Sequence, residues 1–164
     1  MRMLFAFVMG CTLCSSALAI TENDQELLDY GIVDESFVYQ DLDAAGIYFK
    51  SIADQLAVSL PQKVSSDLEW ISNIVTPYSS FSSYRYTIDI DAEDAKTLKD
   101  TANDPEFIHD MCRSYYIDEF LKANNYQITY SYLDASYKHI YNFKMSKSIC
   151  RKAILEVMTA DLFN

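Results

Sequence analysis

The sequence predicts an α+β fold: a two-layer sandwich in which a four-stranded antiparallel sheet carries helices on one face and one disulfide closes the domain. Apolar residues recur at spacings of three and four between residues 42 and 56, as on an amphipathic helix. Two later segments, 83–90 and 126–145, contain alternating apolar and polar residues, as half-buried strands do. Helical patterns before, between and after these segments would form the second layer.

Residues 1–19 have the pattern of a secretory signal peptide. A positive start at Arg2 precedes an apolar stretch, and Ala17-Leu18-Ala19 forms a cleavage site. We therefore expect a mature chain that begins at Ile20 and works in the periplasm or, as the alternative, as a fully secreted protein. After the leader, no apolar stretch is long enough to span a membrane.

The mature chain divides into an acidic N-terminal lead-in, residues 20–40, and a single α+β domain, residues 41–164. In the first helix of that domain one apolar stripe runs along about five turns. Pro61 would end this helix. The stripe consists of Leu42, Ala45, Phe49, Ile52 and Leu56.

Two strands are expected next. The first covers Leu68 to Ile74, and the second places Tyr84, Tyr86, Ile88 and Ile90 on one face. The serine-rich segment 79–83 is interpreted as the hairpin connection between them.

An acidic, helix-prone segment, 91–103, follows the second strand. Asp104 and Pro105 have the residue types of an N-cap and a first helical residue, and the helix they begin is expected to reach Asn124-Asn125. Two further strands form a hairpin around Asp134-Ala135-Ser136, with tyrosines on one face. A last helix would be capped by Ser146 or Ser148.

Two cysteines remain after the leader, Cys112 and Cys150, and they allow a single pairing. In an oxidising compartment such a pair is expected to form a disulfide.

The connections between the strands of each predicted hairpin are short. All strand pairs are therefore expected to be antiparallel.

The pattern from about residue 60 to 150 resembles a group of small exported bacterial proteins. In that group a proline precedes the first strand, and a Tyr-x-Tyr strand, a helix with one Cys, a Tyr-x-Tyr hairpin and a closing Cys follow. The turn differs, because this chain has Ala135-Ser136 where the group often has Gly. The resemblance implies the fold and the disulfide and supplies no catalytic residue. The matching residues are Leu60-Pro61, Tyr84-Arg85-Tyr86, Cys112, Tyr130-Ser131-Tyr132 and Cys150.

The formal net charge of −11 indicates a protein partner, basic in character, and argues against nucleic-acid binding. Exposed Tyr78 and Phe81 are candidate anchors for that partner. An acidic cluster after the second strand would steer it; plain solubility of a secreted domain is the alternative explanation of the charge. The cluster consists of Asp89, Asp91, Glu93 and Asp94. Association of two copies through a sheet edge is a further possibility.

No residue pattern indicates a catalytic site, a metal site or a cofactor. His109 and His139 are isolated, and no zinc spacing remains after the leader is removed. The acidic cluster lacks the glycine of a calcium loop and is interpreted as the solvated start of a helix. The tyrosines at 84, 86, 130 and 132 are interpreted as core, with stacking on a sugar or peptide as the alternative.

These observations favour a periplasmic, non-enzymatic binding protein of the immunity or inhibitor type, which would neutralise a cationic exported enzyme or toxin such as a cell-wall hydrolase. An accessory factor of envelope assembly or secretion is the alternative. An enzyme with a dispersed site is the second alternative.

Intact-mass spectrometry of the exported protein tests the leader and the cysteines together. We expect a chain that starts at Ile20 and has no alkylatable thiol. A retained Met1, or two thiols that react with iodoacetamide under denaturing conditions, would contradict this expectation.

Overall fold

The computed structural model describes residues 20–115 and 117–162, so the leader predicted at 1–19 lies outside the described residues. Within this part of the chain six helices and five strands follow one another. They are α1 (Glu22–Asp29), α2 (Leu42–Ser59), β1 (Gln62–Lys63), β2 (Leu68–Thr76), β3 (Ser79–Tyr86), α3 (Ala92–Ala102), α4 (Pro105–Tyr115), α5 (Glu119–Ala123), β4 (Gln127–Leu133), β5 (His139–Met145) and α6 (Lys147–Leu162). The α+β class is therefore confirmed.

The sheet differs from the prediction of four antiparallel strands. It has five strands in the order β1-β2-β3-β4-β5, and β3 and β4 are parallel. The two hairpins are joined by the long segment 87–126, which carries three helices, and a connection of this length permits a parallel crossover. The fifth strand, β1, has only two residues and is too short to produce an alternating pattern.

The second strand lies earlier in the sequence than predicted. The serines at 79–83 belong to β3, and the hairpin turn is formed instead by Pro77 and Tyr78. Strand β3 ends at Tyr86 because Tyr86 pairs with Leu68, the first residue of β2. Ile88 and Ile90 therefore lie beyond the strand that they were expected to extend.

Aspartates cap three of the described helices, and one of them, Asp104, was predicted as an N-cap. Asp41 accepts a hydrogen bond from the backbone of Ala44, and Asp91 caps α3. Asp104 accepts from the backbone N–H groups of Glu106 and Phe107. The helix that follows Asp104 is, however, two helices: α4 ends at Tyr115, and α5 is a separate helix.

The hydrophobic core lies on one face of the sheet, as predicted. Phe143 and Met145 of β5 are buried in the same cluster as Phe49 of α2 and Leu121 of α5. The opposite face is open: Ile74 of β2, for example, is 59% exposed. Residues 20–40 contribute to the same core through Leu27, Ile32 and Val33.

The predicted disulfide between Cys112 and Cys150 is confirmed. Both residues are fully buried, and their Cα atoms are 5.4 Å apart. Cys112 lies in α4, and Cys150 lies in α6 rather than in the last strand. The disulfide therefore holds α4 against α6, with which α4 packs.

A buried aspartate connects the N-terminal segment to the crossover. Asp24 of α1 is 0% exposed, and its two carboxylate oxygens accept hydrogen bonds from the backbone N–H groups of Glu119 (2.8 Å) and Phe120 (3.0 Å). These are the first two residues of α5, whose own N-cap, Asp118, makes no side-chain cap bond. Asp24 thus caps a helix that lies about 95 residues away.

Replacement of Asp24 by asparagine tests this long-range cap. An amide keeps one acceptor and turns an N–H donor towards the second backbone N–H, so we expect the free energy of unfolding to fall by about 2–3 kcal/mol. Urea unfolding monitored by circular dichroism measures the change. Glu22→Gln, an exposed acid on the same helix, is the control and should change the value by less than about 0.5 kcal/mol. Equal stabilities of the two variants would contradict the cap.

Candidate functional site

A row of stacked aromatic rings crosses three strands on the helix-bearing face of the sheet. The rings of Trp70 and Tyr84 have centroids 6.3 Å apart, and those of Tyr84 and Tyr132 are 5.6 Å apart. Tyr86 continues the row at 6.5 Å from Tyr132. Each of these four side chains is only half-buried. We call them the tyrosine row.

The tyrosine row is less buried than Phe143 on the same face of the sheet. Tyr130 and Phe143 stack on each other at 6.1 Å, and Phe143 is almost completely buried. Burial raises the pKa of the Tyr132 phenol to about 12 and also raises that of Tyr84. The sequence-based interpretation of the tyrosines at 84, 86, 130 and 132 as core is thus only partly fulfilled, because all four are only partly buried.

An apolar cleft of about 370 Å³ adjoins the row at Tyr86, between the chain after β3 and the side of α3. Ile88 is 49% exposed, whereas Ile90 and Leu98 are half-buried. We call this the α3 cleft. Its lining consists of Tyr86, Ile88, Ile90, Asp94, Thr97, Leu98 and Thr101.

The predicted acidic cluster lies at the start of α3, beside this cleft. Asp91 is the N-cap, and its carboxylate accepts hydrogen bonds from the backbone N–H groups of Glu93 (2.8 Å) and Asp94 (2.9 Å). The interpretation of the cluster as a solvated helix start agrees with this geometry. Asp94 lines the cleft, and its charge raises the pKa of the Tyr86 phenol in addition to the larger effect of burial. Asp89 is exposed in the segment that leads to α3.

The two predicted anchors are far from these acids. Tyr78 lies in the β2–β3 turn, where its ring packs edge-on against Tyr39 at 5.5 Å. Phe81 lies near the start of β3 and is paired with Ile74 on the open face. The eight residues of β3 separate Tyr78 from the acidic cluster by roughly 25 Å. The structure therefore does not bring the predicted anchors and the predicted acids into one site.

The open face of the sheet also carries an ion pair. Arg85 contacts the Glu69 carboxylate at 2.6 Å, hydrogen-bonds to the Tyr137 hydroxyl and lies over the Tyr137 ring at 4.8 Å. These contacts, chiefly the hydrogen bond to Glu69, raise the pKa of the guanidinium. They fix Arg85 across the strand pair and do not form a cavity with the tyrosine row, which lies on the opposite face.

The histidines are placed separately, at the surface. His139 hydrogen-bonds to Asn142 at 2.9 Å, and His109 lies 3.7 Å from the Asp110 carboxylate. Among residues 20–115 and 117–162, no three His, Cys, Asp or Glu side chains are grouped so that they could hold a metal ion. In the same part of the chain, no helix combines the length and the apolarity needed to cross a bilayer.

The sequence interpretation missed the α3 cleft because Ile88 and Ile90 were assigned to a strand. One signal was present. The alternation of apolar and polar residues continues past Tyr86 to Ile90. The preceding strand begins only at Leu68, which pairs with Tyr86, so it has no residues left to pair with Ile88 and Ile90. Apolar residues without a strand partner must pack elsewhere or remain exposed, and here they form the lining of a cleft.

Alkaline titration of the 13 tyrosines tests the burial of the row. The pKa values of Tyr126 and Tyr132 are about 12, whereas an unfolded tyrosine titrates near 10. Because the fold favours the neutral phenol, the free energy of unfolding should hold below pH 10 and fall as the pH rises towards 12. Phenolate absorbance should show a late phase that Tyr132→Phe diminishes. A single step near pH 10 in the folded protein would contradict this result.

Neither a protein-family model nor a curated protein matches this chain. Three solved structures are similar at 12% sequence identity, and each comparison covers 66% of this chain. A candidate secreted protein from Pseudomonas aeruginosa has a TM-score of 0.48 over 95% of its length. The type II secretion pilotins of Vibrio vulnificus and Vibrio cholerae have TM-scores of 0.47 and 0.43, each over 94% of its length.

Proposed function

We propose that this chain is a non-enzymatic accessory protein of the cell envelope that binds a segment of another protein at the tyrosine row and the α3 cleft. The partial exposure of the row carries this proposal. Elsewhere helices pack on the same face of the sheet, but Trp70, Tyr84 and Tyr86 keep part of their surface accessible, and Tyr86 lines the α3 cleft. Contiguous accessible apolar surface of this kind marks interaction sites.

The chemistry of the surface suits a protein partner. Tyrosine and tryptophan are enriched at the centres of protein interfaces because they offer a large, rigid apolar area together with a polar group. The row and the cleft together supply such a centre. The hydroxyl groups of Thr97 and Thr101 and the Asp94 carboxylate supply a polar rim.

An accessory role fits this surface better than the inhibitor role does. An inhibitor of a cationic enzyme would present its aromatic anchors among its acids, whereas Tyr78 and Phe81 lie at the other end of β3 from the acidic cluster. A cleft that receives a segment of a partner requires no such arrangement.

Site-specific photo-cross-linking in intact cells of the source organism tests the proposal. A benzophenone amino acid at position 86 replaces a tyrosine at the row, and the same amino acid at position 30 is the matched control, because Tyr30 is 66% exposed on a different element, at the end of α1. We expect a discrete adduct from position 86 and none from position 30, with an envelope-assembly or secretion protein identified by mass spectrometry.

Three outcomes would contradict the proposal. Equal adducts from both positions, or none from either, would remove the row as a binding surface. An adduct with an exported hydrolase, whose activity falls when the purified chain is added, would restore the inhibitor hypothesis instead.

A further inference from the structure

We infer that the α3 cleft selects a basic amphipathic segment of the partner, which inserts an apolar side chain between Ile88 and Leu98 and places a Lys or Arg beside Asp94. This inference rests on the proposed function and adds to it the chemistry of the bound segment. The cleft supplies the binding surface, and its charged rim identifies the occupant.

The lining of the cleft accounts for the apolar half of that segment. Tyr86, Ile90 and Leu98 are half-buried and lie around Ile88, which is 49% exposed. The cleft volume of about 370 Å³ is sufficient for one or two large aliphatic side chains. Their entry would remove apolar surface from water on both partners.

The rim accounts for the basic half. Asp89, Asp91, Glu93 and Asp94 fall within six consecutive residues that border the cleft. The nearest lysine of the following turn, Lys96, is already paired with Asp100 at 2.7 Å.

Asp94 is the acid best placed to act. It lines the cleft itself, and no ion pair to its carboxylate is found within residues 20–115 and 117–162. A cation beside Asp94 would also lie next to the Tyr86 ring, and a tyrosine face attracts cations. An acidic segment at the same position would be repelled by the rim.

Binding of three synthetic peptides to the purified mature protein tests the inference by fluorescence anisotropy. The first peptide, KLAKLAKKLAKLAK, is basic and amphipathic. The second carries Glu at every Lys position, and the third carries Ser at every Leu position. We expect saturable binding of the first peptide alone, weaker at high salt because its charged contacts are screened.

Matched variants locate the binding. Ile88→Ala should weaken it about tenfold, whereas Ile47→Ala, a change of an exposed isoleucine on α2, should leave it unchanged. Asp94→Asn should weaken it about two- to fivefold, whereas Asp43→Asn, at an exposed acid in the first turn of α2, should not.

Three results would overturn the inference: equal binding of the Glu peptide, binding insensitive to Ile88→Ala, or equal losses in the control variants, which would indicate attraction by bulk charge. Failure of the peptides together with a specific adduct from position 86 would reject the basic segment and keep the proposed function. Failure of both experiments would reject both.

Discussion

The parallel pairing of β3 with β4 is the constraint on which the rest of the architecture depends. Two parallel neighbours cannot be joined by a turn, so the chain must return over the sheet before β4 begins. The segment 87–126 makes this return with α3, α4 and α5, and their apolar residues pack on one face. The same crossover explains why the other face, with Ile74 and Phe81, remains accessible.

The candidate site is a consequence of how this crossover begins. Strand β3 ends where its partner β2 starts, but the chain needs five more residues, 87–91, before α3 begins. Ile88 and Ile90 fall in that interval, outside both the sheet and the helix. The side of α3 with Leu98 then forms the second wall of the cleft. A gap between two regular elements thus becomes an accessible apolar surface beside the tyrosine row.

Patterns local to one element predicted the fold well, and relations between distant segments could not be predicted in the same way. The stripe of α2, the cap of α4 and the pairing of Cys112 with Cys150 follow from a few neighbouring residues or from a cysteine count. The parallel pair and the Asp24 cap of α5 join segments whose proximity no periodicity records. The α3 cleft could not be predicted for the same reason. It exists because β2 begins at Leu68 and offers no partner to the residues after Tyr86.

The aspartates of this chain fall into two groups, those whose carboxylates accept backbone hydrogen bonds and those whose carboxylates do not. The first group accepts hydrogen bonds from the main-chain N–H groups of other residues and consists of Asp24, Asp34, Asp41, Asp91, Asp104 and Asp134. These carboxylates keep their charge, but their positions are explained by the helices and turns that they cap. Asp94 has no such bond among those of the described residues and lies at an apolar cleft, so its position is more informative than the total charge.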